Sequence, residues 1–229
     1  MSLFKDFAGL FFPEVCFNCG NSLFRNEKVV CTRCALHLPE TNFHRDPDNP
    51  VARVFWGRIY LQAATALYYY RKGGAVQKLI HRMKYDGHKE IGLYLGKLLG
   101  AEISKSPLFT DIDVIVPVPL HFRKQKKRGF NQAELIAEGI AEVTRIRINT
   151  KAVFREVPTD TQTKKSRYKR WDNVSEIFKL RDGHNLDGKH ILVVDDVITT
   201  GATMEACLQA LGAAPGTRLS AVSIAFAHK

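Results

Sequence analysis

Several things are missing from this chain, and each absence excludes something. No apolar stretch is long enough to span a membrane. The N-terminus, MSLFKDFAGLFFPEVC, is apolar but has no charged n-region and no small-residue cleavage site, and Pro13 interrupts it. It does not read as a signal peptide. Its only basic residue is Lys5, so a membrane-surface role has little support. Leu3, Phe4, Phe7, Leu10 and Phe11 are instead expected to form a short amphipathic helix packed on the body. Internal repeats, low-complexity segments and a helix-turn-helix pattern are absent. Negative charge is scarce: 23 Asp and Glu stand against 34 Lys and Arg, a net charge of +11. That balance points to an anionic partner: nucleic acid, a polyphosphate substrate, or both.

Cysteine is nearly absent after residue 34, where only Cys207 occurs. The other four form two pairs, Cys16-Phe-Asn-Cys19 and Cys31-Thr-Arg-Cys34. Without a secretory signal, structural disulfides are not expected. Two C-x-x-C knuckles with a short insert fit a tetrahedral four-cysteine zinc site, with an iron–sulfur cluster or a redox pair as alternatives. Four thiolates leave no open position, so the metal is expected to be structural, in a small zinc ribbon over residues 1–50. His37 and His44 then read as bystanders, and Cys207 as a small packed residue.

The most informative stretch is Ile191 to Thr203, ILVVDDVITTGAT. Ile191 to Val194 reads as a buried parallel strand. Asp195 and Asp196 follow, then Thr199, Thr200, Gly201, Ala202 and Thr203, leading into a helix through Leu211. A turn that exposes backbone N–H groups at a helix N-terminus suits a phosphate. Two carboxylates would repel a phosphate but accept hydrogen bonds from hydroxyls. Together they suit a ribose 5-phosphate. The alternative is an ordinary strand end with a threonine cap.

Elsewhere, strands alternate with helices, which predicts an α/β fold with a mostly parallel sheet flanked by helices over 51–229. Residues 39–50 read as a linker, Val54 to Tyr70 as two strands, Ala75 to Met83 and Ile91 to Ile103 as helices. Asp113 to Val118 reads as a strand, Arg128 to Val143 as a helix, residues 151–154 as a short strand, and Leu219 to Phe226 as a strand. Two basic clusters, Arg123 to Arg128 and Lys164 to Arg170, read as loops. Ligands of such sheets bind outside the carboxyl ends of the strands. A second anion therefore suits the stretch after Val116, which runs through Pro119, Leu120 and His121. Pro119 allows a cis bond there.

The Ile191–Thr203 motif resembles the phosphoribosyl pyrophosphate (PRPP) signature of the type I phosphoribosyltransferases. The whole chain resembles the ComF competence family, which joins a four-cysteine head to such a domain. The shared stretches are FPEVCFNCG with CTRC, MKYDG, PVPLH, RGFNQA, then Thr161-Gln162, Arg170, Asn173 and Phe178, and finally VVDDVITTGAT. The domain also looks like that of glutamine amidophosphoribosyltransferase, without its glutaminase half. The resemblance implies that Asp195 and Asp196 hold the ribose hydroxyls and that Thr199 to Thr203 wrap the 5-phosphate. It implies that Arg82, Lys84 and Tyr85 face the pyrophosphate or the second substrate, and that Arg128, Asn131 and Gln132 anchor the pyrophosphate loop. Residues 156–175, with Thr161, Gln162, Arg167 and Arg170, would be a loop closing over the ligand.

Mg2+ is expected to accompany PRPP, bound mainly by the ligand's own oxygens. A pentosyl transfer with release of pyrophosphate follows, although no convincing general base is present; Glu205 is a candidate only by proximity. The ComF resemblance also implies a cytoplasmic part in DNA uptake during natural transformation, alongside competence-machinery proteins. Charge and the aromatics Phe130, Tyr168 and Trp171 agree with single-stranded DNA binding. A non-catalytic PRPP sensor is the third alternative.

Overall fold

The computed structural model describes residues 13–155, 178–181, 183 and 185–227. The expected N-terminal helix and the basic closing loop with Thr161, Gln162, Arg167 and Arg170 lie outside the described residues, as do Tyr168 and Trp171.

A five-stranded parallel sheet forms the centre, built from β1 (Ala63–Tyr69), β2 (Val114–Pro117), β3 (Arg147–Ile148), β6 (His190–Ile198) and β7 (Arg218–Phe226). The strand order is β1-β7-β6-β2-β3. A separate antiparallel pair is formed by β4 (Val153–Arg155) and β5 (Phe178–Leu180). The helices are α1 (Thr32–Ala35), α2 (Pro50–Phe55), α3 (Ala75–Tyr85), α4 (Lys89–Ile103), α5 (Phe122–Arg128), α6 (Gln132–Thr144) and α7 (Ala202–Leu211). No helix among the described residues is long and apolar enough to cross a membrane.

Alternation along β6 splits the core in two. Leu192 and Val194 join a cluster with Leu79, Met83, Leu95 and Ile136 from α3, α4 and α6. Ile191 and Val193 join Met204, Cys207 and Leu208 of α7 with Val51 and Phe55 of α2 on the other face. Cys16, Val29, Val30, Cys31 and Leu38 belong to the first cluster, so the cysteine head shares a core with the body. Helices α4 and α6 cross at backbone distance. A Cβ on Gly96 would lie 2.2 Å from the Ile136 carbonyl, and one on Gly139 would lie 2.3 Å from that of Leu93. Only glycine permits that approach, which seats α6 and the residues at its N-terminus.

Five local readings change. Residues 39–50 are packed rather than a loose linker: Tyr69 N–H donates to Pro39, Thr41 N–H donates to Leu67, and the buried Asn49 amide donates to the Ala64 carbonyl at 2.8 Å. This segment covers the outer edge of β1, which would otherwise present unpaired backbone. Val54 to Tyr70 holds the end of α2 and one strand, not two strands, because Asn49 caps Val51 and Ala52 and Pro50 starts a helix. The basic run Arg123 to Arg128 is helical, capped by the His121 ring and ended by Gly129 at φ +79°. The helix expected from Arg128 therefore begins at Gln132. Finally, β6 does not stop at Val194 but pairs with β7 through Ile198.

Candidate functional site

The strands β2 and β6 are neighbours, but their connections diverge. After β2 the chain reaches α6 on one face of the sheet, and after β6 it reaches α7 on the other. A parallel sheet opens a crevice at such a switch point, outside the carboxyl ends of the two strands.

On the β6 side, pairing with β2 ends at Pro117↔Val194, so Asp195 to Ile198 project past it beside β7. Strand alternation sends the two carboxylates to opposite faces. Asp196 points to the α3 side, where its Oδ1 accepts from Lys84 Nζ at 2.7 Å. Asp195 points to the α7 side, where its charge is felt by the Cys207 thiol. Burial and the adjacent Asp196 carboxylate raise the Asp195 pKa to about 7, against the pull of the Asp196 N–H and Lys84.

The turn that follows exposes Thr199, Thr200 and Thr203 and buries Gly201. Gly201 is the N-cap of α7 at φ +78°, and no side chain among the described residues caps the helix. The first-turn N–H groups are therefore free of side-chain acceptors, as an anion site needs. A Cβ on Gly201 would lie 2.4 Å from Val54 Cγ1 and 3.2 Å from Phe55, so α2 backs the turn directly. Glu205 is engaged by Arg58 at 3.1 Å, which removes it as a free base.

On the β2 side, Val118 N–H still donates to the Val194 carbonyl at 2.9 Å. Pro119, Leu120 and His121 then lie half-exposed, and all described peptide bonds are trans, Pro119 included. Asn131 is buried and does two jobs: Nδ2 donates to the Val118 carbonyl at 3.0 Å, and Oδ1 caps Ala133. Burial, then Arg155, Arg123 and Lys124, hold the His121 pKa below its usual range. Arg128 donates to Gln132 Oε1 at 2.6 Å and lies 5.2 Å over the Tyr85 ring. Gln132 is 1% exposed, and its Nε2 is a buried donor with no hydrogen-bond partner among the described residues. Such a donor is costly unless a ligand or water completes it.

Lys84 and Tyr85, at the end of α3, thus meet both strand ends. Arg82 departs from its expected place: its guanidinium lies 5.8 Å over the Phe17 ring of the cysteine head. The sulfurs of Cys16, Cys19, Cys31 and Cys34 lie within 4.8 Å of one another. Asn18 Nδ2 donates to Cys34 Sγ at 3.2 Å, and Cys31 N–H donates to Cys16 Sγ at 3.3 Å. Burial raises the Cys16 pKa, but backbone donors at Cys19, Cys31 and Asn18 outweigh it and draw it down to about 6. Cys34 is pushed up to about 12, by burial first and by the other three thiols. A four-sulfur cage with N–H···S donors fits a metal such as zinc. An isolated antiparallel bridge, Val15↔Ser22, spans the first knuckle.

Residues 99–228 match the family model of the phosphoribosyl transferase domain. The chain is 31% identical over 205 residues to the DNA utilization protein YhgH of Escherichia coli (strain K12), covering 86% of this chain and 83% of that one. It is 27% identical over 195 residues to the competence protein ComFC of Bacillus subtilis (strain 168), covering 83% and 75%. Among solved structures, the glutamine PRPP amidotransferase from B. subtilis matches at a TM-score of 0.42 and 23% identity, over 58% of this chain and 26% of that one. The matched residues hold both strand ends just described, and the cysteine head precedes them. The chain therefore belongs to the phosphoribosyl transferase domain family, with relatives among the DNA utilization and competence proteins.

Proposed function

We propose that the crevice between β2 and β6 binds PRPP. The observation that carries this reading is the contrast across one crevice: carboxylates and an uncapped helix start on one side, donors and cations on the other. N–H groups of residues 199–203 would hold the 5-phosphate. Asp195 and Asp196 would accept from ribose hydroxyls, Asp196 after Lys84 releases it. Because the two carboxylates diverge, each would reach its hydroxyl from a different side of the strand. Lys84, Arg128 and the spare Gln132 donor would face the pyrophosphate. The oxygen donors of Asp195 and Asp196 are of the hard type that suits Mg2+, which would neutralise pyrophosphate charge when bound with the ligand.

As pyrophosphate departs, positive charge develops on the ribose and negative charge on the leaving group. Carboxylates near the first and cations near the second favour that separation. The acceptor would be an amine or another good nucleophile, since Glu205 is committed to Arg58. Calorimetry with PRPP and Mg2+, on the wild type and on Asp196→Asn, tests binding. Pyrophosphate release against a panel of amines and nucleobases tests turnover. Absence of PRPP binding would remove the reading.

A second reading is single-stranded DNA handling with PRPP as a ligand. The observation that favours it is α5, which exposes Arg123, Lys124, Lys126 and Lys127 with Phe122 beside the crevice. Cations around an exposed ring suit a phosphodiester strand and a stacked base. Affinity for single-stranded DNA should then fall steeply with salt; a flat response excludes phosphate-driven binding. Neither reading needs a membrane anchor, and both are consistent with a cytoplasmic protein.

A further inference from the structure

The segment from Arg82 to Lys89 joins the end of α3 to the start of α4, and its side chains leave in three directions. Lys84 goes to Asp196 at 2.7 Å. Tyr85 lies under Arg128 at 5.2 Å, and Lys89 sits 5.3 Å over the Phe130 ring, both toward the β2 side. Arg82 and His88 go the third way, to one residue of the head. The Phe17 ring is 4.4 Å from the His88 ring and 5.8 Å from the Arg82 guanidinium.

Phe17 lies between Cys16 and Cys19, inside the first knuckle. Its backbone N–H donates to Val29 at 3.0 Å, and Cys16 is fully packed in the cluster shared with Leu79 and Met83. The knuckle is therefore held from behind while the ring presses on the α3–α4 corner. In a helix, residues two apart point to nearly opposite sides. Arg82 and Lys84 thus place the last turn of α3 between the head and β6, gripped from both.

We infer that Phe17 is a positioning residue for the strand-end site: it fixes the last turn of α3 and so sets where Lys84 and Tyr85 stand. A head that holds its four thiolates together presents the ring; a head that does not would leave the corner without its outer stop. Communication between head and site then runs through two aromatic contacts rather than through a shared ligand. The functional side of this role rests on the PRPP reading above.

The test uses the zinc-loaded full chain with Phe17→Ala and Phe17→Tyr. Zinc content is measured by elemental analysis, local opening by hydrogen–deuterium exchange over residues 75–91 and 191–203, and PRPP affinity by calorimetry. Phe17→Ala is expected to keep its zinc and to exchange faster in the last turn of α3 and at 195–203. Its PRPP affinity is expected to fall roughly fivefold to tenfold, at the lower end of typical coupling between sites. Phe17→Tyr should restore both. If Phe17→Ala loses its zinc, the double variant Arg82→Ala/His88→Ala removes the same contacts from the body side and should give the same signature. Unchanged exchange in α3 with zinc retained overturns the positioning role and leaves the PRPP reading standing. Faster exchange in a protein whose wild type binds no PRPP supports the positioning role and removes the PRPP reading.

Discussion

The two strands β2 and β6 run side by side in the same direction and reach one crevice, but they end by opposite means. β6 ends in backbone: a positive-φ glycine, exposed threonines and a helix start that no side chain among the described residues caps. β2 ends in side chains: His121 caps α5, Asn131 caps α6, and Arg128 and Gln132 hold each other. The backbone end is rigid because α2 packs against Gly201. The side-chain end is adjustable, since Arg128 can exchange its partners, the Gln132 amide and the Tyr85 ring. A fixed end suits the part common to every phosphorylated ribose, and an adjustable end suits a group that must leave.

Substitution of glycine should expose this contrast most strongly. Gly201→Val combines a left-handed backbone with a clash against Val54, so it should cost about 3 kcal/mol or more. A melting temperature about 6–12 °C lower is expected for a chain of this size, with PRPP binding lost. Gly129 has φ +79° but nothing among the described residues within 4 Å of its would-be Cβ. Gly129→Ala should cost only about 1 kcal/mol. Equal losses would mean that packing behind the turn is not what distinguishes the two ends.

Binding should separate the ends next. Asp196→Asn removes a charged acceptor and should weaken PRPP about 30-fold to 100-fold by calorimetry. Arg128→Ala removes a partly exposed cation and should weaken it only about fivefold to tenfold. Comparable losses would dissolve the distinction between fixed and adjustable ends.

The smallest effect concerns pH. The Asp195 pKa is raised in the folded state to about 7, above its ordinary value of 3.8. Its contribution to stability is therefore full below pH 4 and is lost as pH rises through 7. Asp195→Asn should leave the melting temperature unchanged near pH 4. At pH 8 the full shift would be worth about 4 kcal/mol, but Asp195 is partly exposed and Lys84 opposes the shift, so a rise of about 2–4 °C, roughly 1 kcal/mol, is expected. In the wild type, PRPP affinity should climb between pH 6 and 8, because the ionised carboxylate is the better acceptor for a hydroxyl. A stability profile identical to that of Asp195→Asn would show that this carboxyl is ordinary.

The central motif was legible because its parts are local. An apolar run, two acids and a glycine turn state their chemistry within one short stretch, and the paired C-x-x-C knuckles do the same. What was not legible depends on distant partners. Val197 and Ile198 extend β6 because β7 lies alongside, so acids that look like a strand end sit inside a strand. The run FRKQKKR looked like a charged loop, yet lysine, arginine and glutamine are good helix formers once His121 and Gly129 close its ends. Aromatic residues near Trp56 suggested strands, but Asn49 and Pro50 start a helix first. Arg82 looked equivalent to Lys84 in sequence, and only the placement of Phe17 tells them apart.

The order of the sheet has a consequence for synthesis. β7, the last of these strands to be made, lies between β1, the first, and β6. The cysteine head, which leaves the ribosome before any of them, packs in a cluster that includes Val222 and Ile224 of β7. The nascent chain must therefore carry an open β1 and a half-seated head until β7 emerges. A chain stopped before Arg218 should strand both, so premature termination just short of β7 is expected to give an aggregation-prone fragment instead of a shortened protein.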